Sequence, residues 1–166
     1  MLRKLLHTPD DHTLLVLRLA LGVIFFAHGS QKMLGWFGGN GFSGTMGYFT
    51  NGMGIPGPFA VLAIMAEFLG AIGLIFGILT RIAAFGITAV MLVAILMVHA
   101  QNGLFMNWTG AKHGEGFEFH LLAIAISIAL IVRGAGAWSL DRLIDRSLTT
   151  ADQPPATYHS PLPHHG

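Results

Sequence analysis

The chain has 166 residues, 53% of them hydrophobic and only 10% charged, against roughly 25% charged residues in ordinary soluble domains, and its mean hydropathy of +0.64 is that of a membrane protein. A net charge of +1 provides no basic face dense enough to neutralise a row of phosphates, which excludes nucleic acid as a partner. The absence of cysteine removes disulfides, thiol relays and iron–sulfur ligation by the chain itself, so a redox role must use a bound organic cofactor, a metal held by His and carboxylates, or a partner.

Met1-Leu2-Arg3-Lys4-Leu5-Leu6 has the charge of a signal-peptide start, but the apolar stretch behind it carries Arg18, His28, Gln31 and Lys32 and no small-residue cleavage site follows. It reads as a retained membrane helix over 14–33. A glycine-dense connection then runs to Gly57, and its Trp36, Phe37, Phe42, Tyr48 and Phe49 suit the membrane–water interface. Pro58 opens a second helix, 59–79, because proline is tolerated at a helix start. Arg81 closes it and a third helix, 82–100, follows so tightly that the two must be antiparallel neighbours. After a loop over 101–115 rich in Gly and Asn, a fourth helix spans 117–132 and stops before Arg133-Gly134.

Ser139 is a candidate N-cap with Asp141 in the first turn, and Leu140, Leu143, Ile144 and Leu148 alternate helically with Arg142, Asp145 and Arg146. This predicts an interfacial amphipathic helix over 139–148. From Thr149 the chain holds Pro154, Pro155, Pro161 and Pro163 without apolar periodicity, predicting a disordered cytoplasmic tail, 149–166, whose His159, His164 and His165 carry no role. The expected fold is thus an all-α membrane protein: a four-transmembrane-helix bundle within 1–148, with an amphipathic C-terminal interfacial helix. Arg3, Lys4, Arg81, Arg133, Arg142 and Arg146 fall at one end of such a bundle and only Lys32 and Lys112 at the other, which puts both termini in the cytoplasm.

The helices are short of uninterrupted apolar length. The run 121–132 rises only about 18 Å against about 30 Å of hydrocarbon, and Glu67 interrupts the second helix. Ionisable groups at such depth normally face a protein partner or a water-filled cavity. Glu67 shares a face with the small residues Ala63, Gly70 and Ala71, so it points at a neighbouring helix, and Arg18 stands in line with Gly22, Gly29 and Lys32. Glu118 heads the row Leu122, Ala125, Ala129, which is read as the inward seam. His120, about 200° away round the helix, is read as pointing elsewhere, and Glu115 as exposed.

Three stretches together resemble one family: Leu17-Arg18-Leu19-Ala20-Leu21-Gly22-Val23-Ile24-Phe25 with Ala27-His28-Gly29-Ser30-Gln31-Lys32, then Glu67-Phe68-Leu69-Gly70, then Gly114-Glu115-Gly116-Phe117-Glu118-Phe119-His120 with Trp138-Ser139-Leu140-Asp141. They resemble the DoxX family of small bacterial membrane proteins over nearly all of 13–146. The resemblance implies a four-helix, multi-pass inner-membrane protein related to the membrane subunit of a thiosulfate:quinone oxidoreductase. It also implies quinone-linked, sulfur or oxidative-stress redox work with soluble redox or sulfur-metabolism enzymes as partners. No agreed catalytic set comes with it.

The candidate site therefore rests on residue chemistry. Glu67, His28 and Glu118 are the candidate proton carriers, and Lys32 and His99 could polarise a quinone carbonyl. Gln31 and Arg18 complete the cofactor-binding candidates, Arg18 having a second reading, with Arg81 and Arg133, as a snorkelling or topology-fixing charge. Haem or a metal fits less well: His28, His99, His120, Glu67 and Glu118 are ligand types, but no Glu-x-x-His pair is present. Gly73-Leu74-Ile75-Phe76-Gly77 matches a small-xxx-small motif, readable as a homo-oligomer contact or as internal packing. The reading from a different class is a non-catalytic scaffold or small-solute transporter whose charges hold the bundle together.

Overall fold

The computed structural model describes residues 2–151, which form helices and connections with no strand. The helices are α1 (Leu2–Leu6), α2 (His12–Met33), α3 (Gly41–Gly47), α4 (Gly57–Phe76), α5 (Thr80–Ala94), α6 (Glu118–Arg133) and α7 (Leu140–Ala151). A π-helical turn, Ile95–His99, and a 3-10 turn, Ala100–Asn102, carry α5 onward without a break. Among the described residues, three helices are long and apolar enough to cross a bilayer: His12–Met33, Gly57–Phe76 and Thr80–Asn102. α6 is likewise apolar but has only 16 residues.

Local chemistry explains where these elements start and stop. Asp11 caps α2, its Oδ1 accepting the Thr13 amide at 2.8 Å and the Leu14 amide at 3.4 Å. The basic start expected to lead directly into the first span is a separate helix, α1, which packs on α7. The connection 34–57, expected as a loop, is mostly helical, with a 3-10 turn (Trp36–Gly38), α3 and a π turn (Tyr48–Gly52). Its glycines hide any apolar period, but backbone beside a bilayer must still satisfy its own hydrogen bonds. α4 ends at Phe76, three residues before the predicted limit, because Gly77 takes a left-handed φ of 65° and its amide returns to Gly73 and Leu74 carbonyls. The apolar residues that follow masked this stop. α7 runs on to Ala151, past the predicted end at 148, and the rest of the expected tail, 152–166, lies outside the described residues.

The amides that cap α2 stabilise the ionised carboxylate of Asp11, Thr13 foremost, and hold it below the usual carboxylate range. A carboxyl lowered by folding contributes stability that is full above about pH 4 and is lost as pH falls through its folded value. Asp11→Asn, which keeps a capping side chain, is expected to flatten the acid limb of a melting-temperature profile while leaving the neutral value within about 2 °C.

α2 packs on α4, α4 on α5, α5 on α6, and α6 back on α2, closing a ring. Its core holds Leu21, Phe25, Leu74, Ile87 and Leu130. Many apolar side chains point outward, Leu96 at 78% and Phe85 at 66% exposure among them, as expected where lipid is the solvent.

One end of the ring is locked by polar groups that the sequence reading placed elsewhere. Arg18, expected to snorkel, is 1% exposed. Its guanidinium donates to the carbonyls of Leu74 and Ile75 at the end of α4, and to those of Ala135, Ala137 and Trp138 in the segment before α7. Asp141 is also 1% exposed. Rather than serving its own helix, it caps α5, accepting the Leu79 amide at 2.7 Å and the Thr80 amide at 2.9 Å. The α5 terminus needs this outside help because Leu79, left-handed at φ 48°, offers no side-chain oxygen. Loss of both bonds in Asp141→Ala is expected to cost about 1–2 kcal/mol, read as a lower melting temperature in detergent with helical content retained.

Candidate functional site

At the opposite end, close approach of two backbones sets the geometry. A Cβ built on Gly29 of α2 would lie 2.7 Å from Phe68 Cα and 2.9 Å from the Glu67 carbonyl carbon, so only glycine lets α4 in here. One turn on, the Lys32 ammonium donates to Glu67 Oε2. The Glu67 side chain is 4% exposed and that of Lys32 27%, with Glu67 midway along α4. A lone carboxylate there would be expensive, and the ammonium one turn from Gly29 offsets its charge. Thr45 of α3 donates to the Lys32 carbonyl at 3.2 Å, folding the α3 segment over the pair.

Gly29→Ala should push α2 and α4 apart at this point and lower stability by about 1–3 kcal/mol. Gly47→Ala is the control, because nothing lies within 4 Å of a Cβ there; its melting temperature is expected to match the wild type.

A chain of aromatic contacts leads from His28, on the same helix as Lys32, to two further imidazoles. His28, one turn before Lys32 and exposed, has its ring 6.3 Å from Phe25 and 6.2 Å from Phe119 of α6. The next residue, His120, lies against His99 with ring centroids 4.1 Å apart and the planes tilted by 43°. His99 ends the π turn, and its Nδ1 lies 2.8 Å from the Glu115 carbonyl oxygen. A carbonyl only accepts, so Nδ1 carries the hydrogen and Nε2 of the neutral ring is left as an acceptor. His120 is 7% exposed, and its Nδ1 is buried with no hydrogen-bond partner. Such an orphaned polar atom is uncommon and calls for an explanation.

The structure thus gathers His28, Lys32, Glu67 and His99 at one end of the ring and leaves three other candidates apart from them. Gln31 turns away to donate to the Phe37 carbonyl at 3.2 Å. Glu118 sits at the rim, where its Oε1 accepts from Trp108 Nε1 at 3.3 Å. Arg18 lies at the far, locked end.

The inward row of α6 is also not the one expected. His120, Ala123, Ser127 and Leu130 are buried, whereas Leu122, in the row headed by Glu118, is 66% exposed. Alanines occur in both rows and could not choose between them. The polar Ser127, two turns after His120, was the available signal that the buried row is His120's. Glu115 is exposed as expected, its Oε2 accepting the Asn107 amide at 2.7 Å.

Fold and cluster together define a small all-helical membrane protein with an acid–base pair inside its helix ring. The chain belongs to the DoxX family: the DoxX family model matches residues 13–100, and that of the "TQO small subunit DoxD" matches residues 57–155. It is 28% identical over 137 residues to "Inner membrane protein YqjF" of Escherichia coli, covering 82% of this chain and 95% of that protein. A Haemophilus influenzae protein is 32% identical over 146 residues, covering 83% of this chain and 87% of its own length. "Putative oxidoreductase CatD" of Bacillus subtilis is 28% identical over 130 residues, covering 78% and 85% respectively. No solved structure matches the chain with significance.

Proposed function

We propose that this protein is the membrane subunit of a quinone-linked redox system serving sulfur or oxidative-stress metabolism, and that the Lys32–Glu67 end of the ring receives a quinone-like head group. The observation that carries this reading is a carboxylate 4% exposed at mid-helix and paired with an ammonium. Intramembrane ionisable groups mark substrate and proton pathways. A quinone, when bound, takes up two electrons and two protons on reduction. The residues present fit such a group: Lys32 is a donor for a carbonyl, the orphaned His120 Nδ1 lacks a partner, and Phe119, stacked on the buried Phe25, adds an aromatic wall. Within the chain, Glu67, His28 and His99 hold or pass protons and Lys32 sets the local charge, with Glu118 at the entrance. The electrons come from a partner, since the chain has no thiol; a soluble redox or sulfur-metabolism enzyme suits this, in keeping with the words "small subunit" in the DoxD description.

In this reading α6 is a fourth span. Its 16 residues rise about 24 Å, a shortfall that local thinning of the roughly 30 Å core accommodates. In the same reading α7 lies in the interface, both termini are in the cytoplasm of a bacterial inner membrane and the site is near the outer leaflet, which the Lys and Arg bias of the locked end supports. A structural role is the second reading, favoured by the direct pairing of Glu67 with Lys32: a scaffold in which this charge pair pins α2 to α4.

Quinone extracted from gently solubilised protein and identified by mass spectrometry tests the proposal. Wild type is expected to retain quinone and Glu67→Gln to lose it while keeping its helical circular dichroism. Absence of quinone, flavin and haem, with an unaltered cellular redox phenotype in Glu67→Gln, would overturn it.

A further inference from the structure

We infer that the groove between the end of α4 and α7 is a binding site for an anionic phospholipid, independent of the redox reading. The groove has a volume of about 450 Å³ and is walled by Ile75, Phe76, Trp138 and Leu143, with Arg142 and Arg146 on its α7 side. Three of its apolar walls are strongly exposed: Phe76 at 60%, Trp138 at 80% and Leu143 at 61%.

This combination arises because α7 docks with its acids inward. Asp141 is committed to the α5 amides, and Asp145 Oδ2 lies 3.0 Å from His7 Nδ1. The adjoining flank of the helix carries the Arg142 and Arg146 guanidinium groups beside the apolar groove walls. An acid reaches this side as well: the Asp10 carboxylate is bonded by Arg142 and attracted by Arg146. The Asp10 side chain is 55% exposed and that of Arg142 15%, so the pair opens to water on its acid side, where a phosphate can share the guanidinium.

The groove also sits at a defined level. α4 stops at Phe76, and Trp138 projects just beyond it, where an indole marks the head-group region. An acyl chain along Ile75 and Phe76 would leave its phosphate at Arg142 and Arg146, the fork geometry that guanidinium provides. A second copy of this chain fits poorly, because a two-fold contact through this face would bring Arg142 and Arg146 against their own images.

The test uses the full chain, delipidated in mild detergent and titrated with phosphatidylglycerol or phosphatidylcholine of the same acyl chains, with bound lipid counted by native mass spectrometry. Phosphatidylglycerol is expected to bind more tightly. Each interfacial arginine contributes about fivefold, so R142Q/R146Q should reduce the preference by about 25-fold, whereas R142K/R146K, which keeps the charge, should retain most of it. Circular dichroism establishes that the variants are folded, and the wild-type comparison needs no variant. Equal binding of the two lipids by wild type would overturn the proposal, as would an unchanged preference in folded R142Q/R146Q. Displacement of the lipid by millimolar inorganic phosphate would assign the site to a soluble anion instead. A concentration-dependent dimer cross-linked through Leu143, with no lipid retained, would assign the face to self-association.

Discussion

Arg18→Leu is expected to be the most damaging single substitution at the locked end, lowering stability by about 3–5 kcal/mol and the melting temperature in detergent by on the order of 10 °C. The guanidinium is almost wholly buried and every bond it makes is to a backbone carbonyl: two at the end of α4 and three in the segment before α7. Those at the end of α4, of which Leu74's also accepts the Gly77 amide at 3.3 Å, carry the negative end of the helix dipole, which a cation complements. Leucine fills the space but leaves the carbonyls dry, at about 1–3 kcal/mol for each one that cannot relax toward another donor. Arg18→Lys should fall between, since one ammonium cannot reproduce a planar fork with five donors. A melting temperature for Arg18→Leu within about 2 °C of wild type would show that the 134–139 segment is held by other contacts.

Lys32→Met is expected to destabilise more than Glu67→Gln, and the double variant Lys32→Met/Glu67→Leu less than Lys32→Met alone. Removing the ammonium leaves a carboxylate that is 4% exposed, and breaking such a pair from one side costs about 3–5 kcal/mol unless the acid takes up a proton. Glu67→Gln leaves a lysine whose side chain is 27% exposed and can relax toward water. Replacing both partners by apolar groups restores much of the loss, a pattern common for buried pairs. The double variant also separates the two functional readings. Recovered stability with quinone retention abolished supports the redox site, whereas recovered stability with unchanged quinone content and cellular redox phenotype identifies the pair as structural.

Much of this protein was readable one residue at a time. Arg18 in line with Gly22, Gly29 and Lys32 marks the seam along which α2 meets α4, and the small residues in line with Glu67 mark an inward face of α4, where Gly70 approaches α5, because a 3.6-residue period assigns faces without knowledge of the partner. The same procedure chose the wrong row of α6, where alanines on two faces made the period ambiguous and Ser127 had to be weighed with His120. Asp141 shows a different failure. An acid in the first turn of an amphipathic helix reads as a favourable local charge, yet its carboxylate caps α5, about sixty residues earlier in the chain. Nothing in the neighbourhood of Asp141 announces that partner.

Composition and periodicity by themselves determined that this is an all-helical membrane protein, where its long apolar helices run, and that Lys32 and Glu67 are charges needing company inside it. These are properties of short stretches and follow from the cost of exposing backbone and charge to hydrocarbon. The tertiary structure alone decided that Lys32 and Glu67 answer each other, that Arg18 closes α4, that His120 rather than Glu118 faces inward, and that α7 turns its acids to the bundle and sets Arg142 and Arg146 along the groove beside α4. Each of those outcomes depends on which distant backbone or side chain lies within hydrogen-bonding reach, and only the packed ring of helices specifies that.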